Sequence, residues 1–203
     1  EKALGRGSPV RRLIEGATGS GRVGPMSVIL AGPPGTGKTT IAHLIARATE
    51  GRFVELSAVT AGVKDVRAVM DEAIRERTHH GRHTVLFLDE IHRFTKAQQD
   101  ALLPGVENRV VVFVAATTEN PGFSIISPLL SRSLVVTLEP LEDAAIETVI
   151  ERAVSDERGL GGEFELTDDA RAHLVRSAGG DARRALTFLE ASAGVAEDEA
   201  PRE

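Results

Sequence analysis

The chain has 203 residues, 41% of them apolar and 27% charged, a globular composition that argues against a disordered or fibrous chain. The formal net charge of -6 excludes a surface that is basic all over, so a nucleic-acid contact has to come from a local patch. There is no cysteine, which excludes a disulfide scaffold and a thiolate zinc site, and no apolar run approaches the ~20 residues that cross a bilayer.

The run Ser27-Val28-Ile29-Leu30-Ala31 stops at a glycine and two prolines, and residues 39–49 then carry Ile41, Leu44, Ile45 and Ala48 at helical spacing. This predicts a strand, a loop and an amphipathic helix. Further apolar runs of strand length stand at 53–56, 84–88, 110–115 and 134–138. Residues 64–77 place Val66, Val69, Met70, Ala73 and Ile74 on one side of a helix. Strands that alternate with helices and stay apolar at every position predict a parallel sheet covered on both faces. After Pro140 only helical patterns remain, at 142–158, 168–177 and 181–193. Thr167-Asp168-Asp169 and Gly180-Asp181 read as helix starts. The expectation is an α/β domain over residues 1–139 and a small all-helical lid over 140–203.

Gly32-Pro33-Pro34-Gly35-Thr36-Gly37-Lys38-Thr39 has the spacing of a phosphate-binding loop (Walker A) between a strand and a helix. Glycines let backbone N–H groups turn onto phosphate oxygens, and the helix that follows adds the positive end of its dipole. Pro34, Gly35, Thr36, Gly37, Lys38, Thr39 and Thr40 are therefore the candidate contacts for ATP, with Lys38 reaching the β and γ phosphates and the Thr39 hydroxyl holding Mg2+. Hydrolysis needs a carboxylate as well. Val85-Leu86-Phe87-Leu88 runs into Asp89-Glu90, a Walker B pattern in which Asp89 holds metal-bound water and Glu90 is the candidate general base. The run 111–116 ends in Thr117-Thr118. Thr118 is placed to touch the γ-phosphate or the attacking water, although a threonine ending a strand usually just satisfies local backbone.

Other residues carry weaker signals. Seven Phe but no Trp or Tyr leave few stacking surfaces for single-stranded bases; Phe94 and Phe123 are the candidates, while most Phe are expected in the core. His79, His80 and His83 around Gly81 read as a polar loop rather than a metal site, and His92 reads as a structural or supporting neighbour of the acids rather than a proton donor.

The motifs together resemble the AAA+ ATPases, and more narrowly the replication-associated recombination protein A family (RarA, also called MgsA), related to the Werner-helicase-interacting ATPase. The residues that carry this are Ser57-Ala58-Val59-Thr60-Ala61-Gly62-Val63-Lys64-Asp65-Val66-Arg67, Leu88-Asp89-Glu90-Ile91-His92-Arg93-Phe94, Gln98-Gln99-Asp100-Ala101-Leu102-Leu103-Pro104 and Ala116-Thr117-Thr118-Glu119-Asn120-Pro121. The likeness extends from about Gly7 to Glu190. It implies a five-stranded parallel sheet of order 5-1-4-3-2 with flanking helices, followed by the helical lid. It assigns Thr118 to the sensor-1 position and Arg132, in Leu129-Leu130-Ser131-Arg132, to the arginine finger that reaches a neighbouring subunit's ATP. Arg183 matches the sensor-2 arginine, with Arg184 as its rival one position on. The resemblance further implies a cytoplasmic, nucleoid-associated homo-oligomer. Its members are DNA-stimulated ATPases acting on single-stranded, gapped or forked DNA, beside replication, recombination and repair proteins and away from membranes. By the same resemblance, the expectation is that the family's C-terminal oligomerisation region is absent here and that its N-terminal segment, including most of the part that helps hold adenine, is missing or reduced to the stretch before Pro9.

Two related machines and one different class compete with this reading. A branch-migration motor shares Asp89-Glu90-Ile91-His92 but needs a DNA-engaging hairpin before sensor 1, and residues 91–116 are occupied by a helix and a strand. A clamp-loader motor subunit would carry a cysteine-ligated zinc module. A scaffold that binds ATP without turnover would not need Glu90 and Arg132. Lys64 and Arg67 are candidates for a local DNA contact, against the alternative of a solvated helix start.

Overall fold

In the computed structural model, residues 27–199 are described, with side chains up to residue 196. The stretch before Pro9, to which part of the adenine site was assigned, and the end of the acidic tail lie outside the described residues. The chain divides into two compact units. Among the described residues, one comprises 27–32 and 38–138, and the other 33–37 and 139–199.

The first unit is an α/β layer structure. β1 (Ser27–Ala31), β2 (Arg52–Ser57), β3 (Thr84–Asp89), β4 (Val111–Thr117) and β5 (Leu134–Thr137) form one sheet of order β2-β3-β4-β1-β5. All neighbouring pairs are parallel, the order and direction expected. Val85, Leu86, Phe87 and Leu88 in β3 and 111–117 in β4 are buried without alternation, because both sheet faces are covered. On one face Ile29, Leu86, Leu88, Phe113 and Ala115 pack with Val66, Val69 and Ala73 of α2 (Val63–His80). On the other Val28, Leu30, Phe87, Val112 and Val114 pack with Ile41, Ala42 and Ile45 of α1 (Lys38–Ala48).

Several sequence expectations shift. Leu44 and Ile74 were counted with the apolar faces but are exposed, at the edges of the helical stripes. The single helix expected between β3 and β4 is a 3₁₀ turn (Ile91–Arg93) followed by two short helices, α3 (Lys96–Asp100) and α4 (Leu103–Glu107). The pattern fails there because Pro104 cannot continue a helix begun at Thr95, whose hydroxyl caps α3 by accepting from Gln98 N–H at 3.3 Å. Two further short helices, α5 (Pro121–Ser124) and α6 (Ser127–Leu130), connect β4 to β5. They are too short to show periodicity, and their starts are set by Pro121 and Pro128.

The second unit contains α7 (Asp143–Ser155), α8 (Asp168–Ala178) and α9 (Ala182–Glu199) around Ile146, Ile150, Leu174, Val175, Ala185 and Leu189. Thr167 caps α8 by accepting from Ala170 N–H, and Asp181 caps α9 by accepting from Arg184 N–H at 3.0 Å. Both helix starts were legible as caps. Among the described residues no helix is long and apolar enough to cross a membrane.

Candidate active site

The C-terminal ends of β1, β3 and β4 lie side by side, with Ala31 paired to Thr117 and Leu88 to Ala115. This edge is where a parallel sheet presents ligands. The strands that deliver it are rigid for an energetic reason: each fully buried Leu, Val or Phe contributes about 1.5–3 kcal/mol relative to exposure, and Val85, Leu86, Phe87 and Leu88 are all at 0% exposure.

From β1 the chain turns at Gly32, whose N–H donates to Thr117 O at 3.1 Å. Lys38, the first residue of α1, is buried, and its Nζ donates to Gly32 O at 2.8 Å. A buried ammonium at a helix N-terminus fits a phosphate group in charge and position. In the loop itself Gly35 has φ +69°, a conformation that disfavours a side chain, and Thr36 Oγ1 donates to Pro33 O at 2.9 Å. Thr39 is partly buried and Thr40 and Pro34 are exposed. The donor set proposed for Mg2+, the Thr39 hydroxyl and the Asp89 carboxylate, consists of the hard oxygens this ion takes.

Asp89 closes β3, and its Oδ1 accepts from Glu90 N–H at 3.0 Å. Glu90 then adopts φ 55°, ψ 42°. A left-handed backbone at a non-glycine residue costs about 1–2 kcal/mol. That strain is less than the burial energy of β3 and is held by the 3₁₀ turn, where Arg93 N–H donates to Glu90 O at 2.8 Å. The turn brings His92 back under Glu90, with Nε2 3.1 Å from Glu90 Oε2. The other ring nitrogen, Nδ1, lies 3.1 Å from Thr117 Oγ1, and that hydroxyl accepts from Glu119 N–H at 3.0 Å. A continuous set of polar contacts therefore joins Lys38, Gly32, Thr117, His92 and Glu90.

Thr118 follows β4 directly and is exposed, whereas Thr117 is fully buried. Arg132 sits beyond α6 with its backbone fixed, since the buried Ser27 donates to its carbonyl at 2.7 Å. Its guanidinium is half exposed and contacts Glu107 Oε1 at 2.8 Å and Pro128 O at 3.0 Å. It thus engages neither Asp89 nor Glu90. In the helical unit Arg183 and Arg184 are both exposed in the first turn of α9, and Asp181 accepts from the Arg184 backbone rather than from either guanidinium. Phe94 is buried at 3% exposure and so cannot stack on a base, correcting that candidate; Phe123 is 92% exposed.

Two contributors escaped the sequence reading. Gln99, 2% exposed, donates to Phe94 O at 3.1 Å and Ser124 O at 2.9 Å and accepts from Ile126 N–H at 3.0 Å. It therefore pins the α5–α6 segment that leads to Arg132. Thr117 is the second, and its buried position at a strand end was the available signal.

Comparison with known proteins agrees with this geometry. Residues 28–140 match the family described as "ATPase family associated with various cellular activities (AAA)". An uncharacterised AAA domain-containing protein of Mycobacterium tuberculosis is 56% identical over 96% of this chain and 41% of its own length. Replication-associated recombination protein A of Escherichia coli K12 is 46% identical over 96% of this chain and 42% of its own length. The resemblance read from the motifs thus holds across nearly the whole chain, and the chain spans about two fifths of the length of these relatives. Among solved structures, the RuvB Holliday junction branch migration motor of Thermotoga maritima matches with TM-score 0.69 and 30% identity, over 89% of this chain and 58% of that one. The matched segment contains the phosphate loop, Asp89, Glu90 and Arg132, and the chain belongs to the AAA ATPase family.

Proposed function

We propose that this chain is the ATP-hydrolysing core of a DNA-stimulated AAA+ machine acting in replication-fork maintenance and recombination or repair, in the manner that the name of its relative, replication-associated recombination protein A, indicates. The observation that carries the catalytic part is the strained Glu90, delivered by a fully buried strand and held beside Asp89. In this reading residues 34–40 bind ATP, with Lys38 on the β and γ phosphates. Glu90 takes the proton of the attacking water and Thr118 touches the γ-phosphate. Mg2+, held by Thr39 and through water by Asp89, would neutralise charge on the phosphates. Arg132 completes a neighbouring subunit's site, and Arg183 couples the helical lid over 140–203 to the γ-phosphate of an α/β domain over 1–139. The protein acts as a cytoplasmic, nucleoid-associated homo-oligomer on single-stranded, gapped or forked DNA.

The likeness to RuvB supports the same ATPase fold, but not junction migration: among the described residues no hairpin stands between β3 and β4, only the 3₁₀ turn, α3 and α4. The test is Glu90→Gln in the full-length assembled protein, with steady-state ATPase measured on single-stranded, gapped and fork DNA beside nucleotide affinity. Retained affinity with turnover reduced at least ~100-fold is expected. Unchanged turnover would remove Glu90 as the base, and equal turnover with and without every DNA would remove the DNA-stimulated reading.

A further inference from the structure

We infer that His92 is the positioning residue for Glu90, and that it ties the carboxylate to the end of β4 through Thr117. The inference rests on the reading of Glu90 as general base. The His92 side chain is only 5% exposed, so its ring nitrogens must find partners inside the protein. Nε2 faces Glu90 Oε2 at 3.1 Å and Nδ1 faces Thr117 Oγ1 at 3.1 Å. Glu119 Oε1, at 4.0 Å from Nε2, is the only other carboxylate within 4.0 Å of the ring nitrogens among the described residues, and it is more than half exposed.

Donor and acceptor counting fixes the proton. A carboxylate only accepts, so Nε2 carries the hydrogen and donates to Glu90. Thr117 Oγ1 already accepts from Glu119 N–H at 3.0 Å, and its own hydroxyl hydrogen is buried with the rest of the residue. That hydrogen is satisfied only if Nδ1 accepts it. The network therefore runs in one direction, from Glu119 N–H to Thr117, from Thr117 O–H to Nδ1, and from Nε2–H to Glu90. An imidazolium would donate from both nitrogens and leave the threonine hydrogen stranded in the interior.

The arrangement has a mechanical consequence. Glu90 has a left-handed backbone, φ 55°, so its carboxylate direction is not set by an ordinary strand continuation. One oxygen is held by His92 and the other stays available to a water molecule. Because Thr117 is the neighbour of Thr118, a displacement of that strand end on phosphate contact shifts the imidazole and with it Glu90. His92 transmits position and does not exchange a proton with substrate.

The test uses the full-length assembled protein. His92→Ala is expected to lower kcat about 10- to 100-fold, a fraction of what a general base supplies, with KM and nucleotide affinity within about twofold. His92→Gln, whose amide nitrogen reaches the Nε2 position, restores most of the rate; His92→Asn, whose amide reaches only the Nδ1 position, does not. Thr117→Val lowers kcat and Thr117→Ser keeps it. Thermal melting of each variant separates rate loss from unfolding. Independently of turnover, nitrogen NMR of the nucleotide-free protein reads the tautomer, with the His92 signal identified by its loss in His92→Gln; protonation at Nε2 alone is expected. A kcat for His92→Ala equal to the parent, a tautomer protonated at Nδ1, or equal rates for the Gln and Asn variants overturns the assignment. If Glu90→Gln is inactive while His92→Ala is fully active, only the His92 inference falls. If Glu90→Gln itself turns over ATP, the general-base reading falls.

Discussion

Arg132 and Glu107 form an ion pair, Nη2 to Oε1 at 2.8 Å, with both side chains more than 40% exposed. An exposed pair of this kind contributes only about 0–1 kcal/mol, so the guanidinium leaves it at little cost when a stronger anion is offered. In the proposed reading a neighbouring subunit's γ-phosphate would be such an anion, and the hydrogen bond from Ser27 to the Arg132 carbonyl would hold the base of the side chain as its tip moved. Arg132→Ala is therefore expected to cut turnover of the assembled protein at least ~100-fold, toward the range measured for arginine fingers. The melting temperature and nucleotide affinity should stay near the parent's. Mixing Arg132→Ala with Glu90→Gln subunits should recover activity, since each supplies what the other lacks. Two inactive parents giving an inactive mixture would argue that the finger works within its own subunit.

Gln99 gives a stability prediction. Its amide makes three hydrogen bonds to backbone groups of two separate segments while almost wholly buried. Leaving such groups unpaired costs about 1–3 kcal/mol apiece, though shared relaxation makes the sum smaller. Gln99→Leu keeps the volume and removes every bond, and should destabilise the protein by roughly 3 kcal/mol in denaturant unfolding. It should also lower turnover more than nucleotide affinity, because the α5–α6 segment that carries Arg132 loses its tether. A change under about 0.5 kcal/mol, the usual range for a surface substitution, would show that the segment is held elsewhere.

The sheet was legible because parallel strands buried on both faces write themselves as unbroken apolar runs: β1 and β3 start at Ser27 and Thr84, where the sequence places them. Asp89 and Glu90 were legible for the same reason, as the first charges after such a run. What stayed hidden depends on side chains meeting across the fold. Gln99 looks like any helix-surface glutamine until Ser124 and Ile126 are brought beside it. His92 acquires meaning only when β4 is placed next to β3, which puts Thr117 on its Nδ1. Short helices such as α5 and α6 have one turn each and leave no periodicity to read.

The phosphate loop yields a test that separates local geometry from general stability. Gly35 has φ +69°, and a methyl group there would run into the Asp181 carboxylate. Gly81, which ends α2, has φ +64° with open space around it. Alanine at either site pays the left-handed backbone penalty of about 1–2 kcal/mol. Gly35→Ala should therefore displace the loop and, if restoring its binding conformation costs about 1–2 kcal/mol, weaken binding of a fluorescent ATP analogue about 5- to 30-fold, while Gly81→Ala lowers the melting temperature and leaves affinity unchanged. Equal affinities in the two variants would detach Gly35 from nucleotide binding.

Lys64 and Arg67 are both exposed near the start of α2 and three residues apart, so that they share a face. The acidic residue between them is already committed: Asp65 Oδ2 accepts from Gly62 N–H at 2.7 Å, which satisfies the helix start. Asp65 keeps its negative charge, so Lys64, Asp65 and Arg67 together leave one net positive charge at this exposed helix start, on a chain of net charge -6. If the two cations meet the phosphodiester backbone, each phosphate neutralised adds about 0.7 to the slope of log affinity against log salt for a single strand. Lys64→Glu with Arg67→Glu should then weaken binding of single-stranded DNA and flatten that slope by about 1–2. The DNA-free ATPase rate and the melting temperature should be preserved, because neither side chain supports the core. An unchanged salt slope together with unchanged DNA stimulation would mean that the patch is a solvated helix start, and the DNA contact would have to be sought at the exposed Phe123.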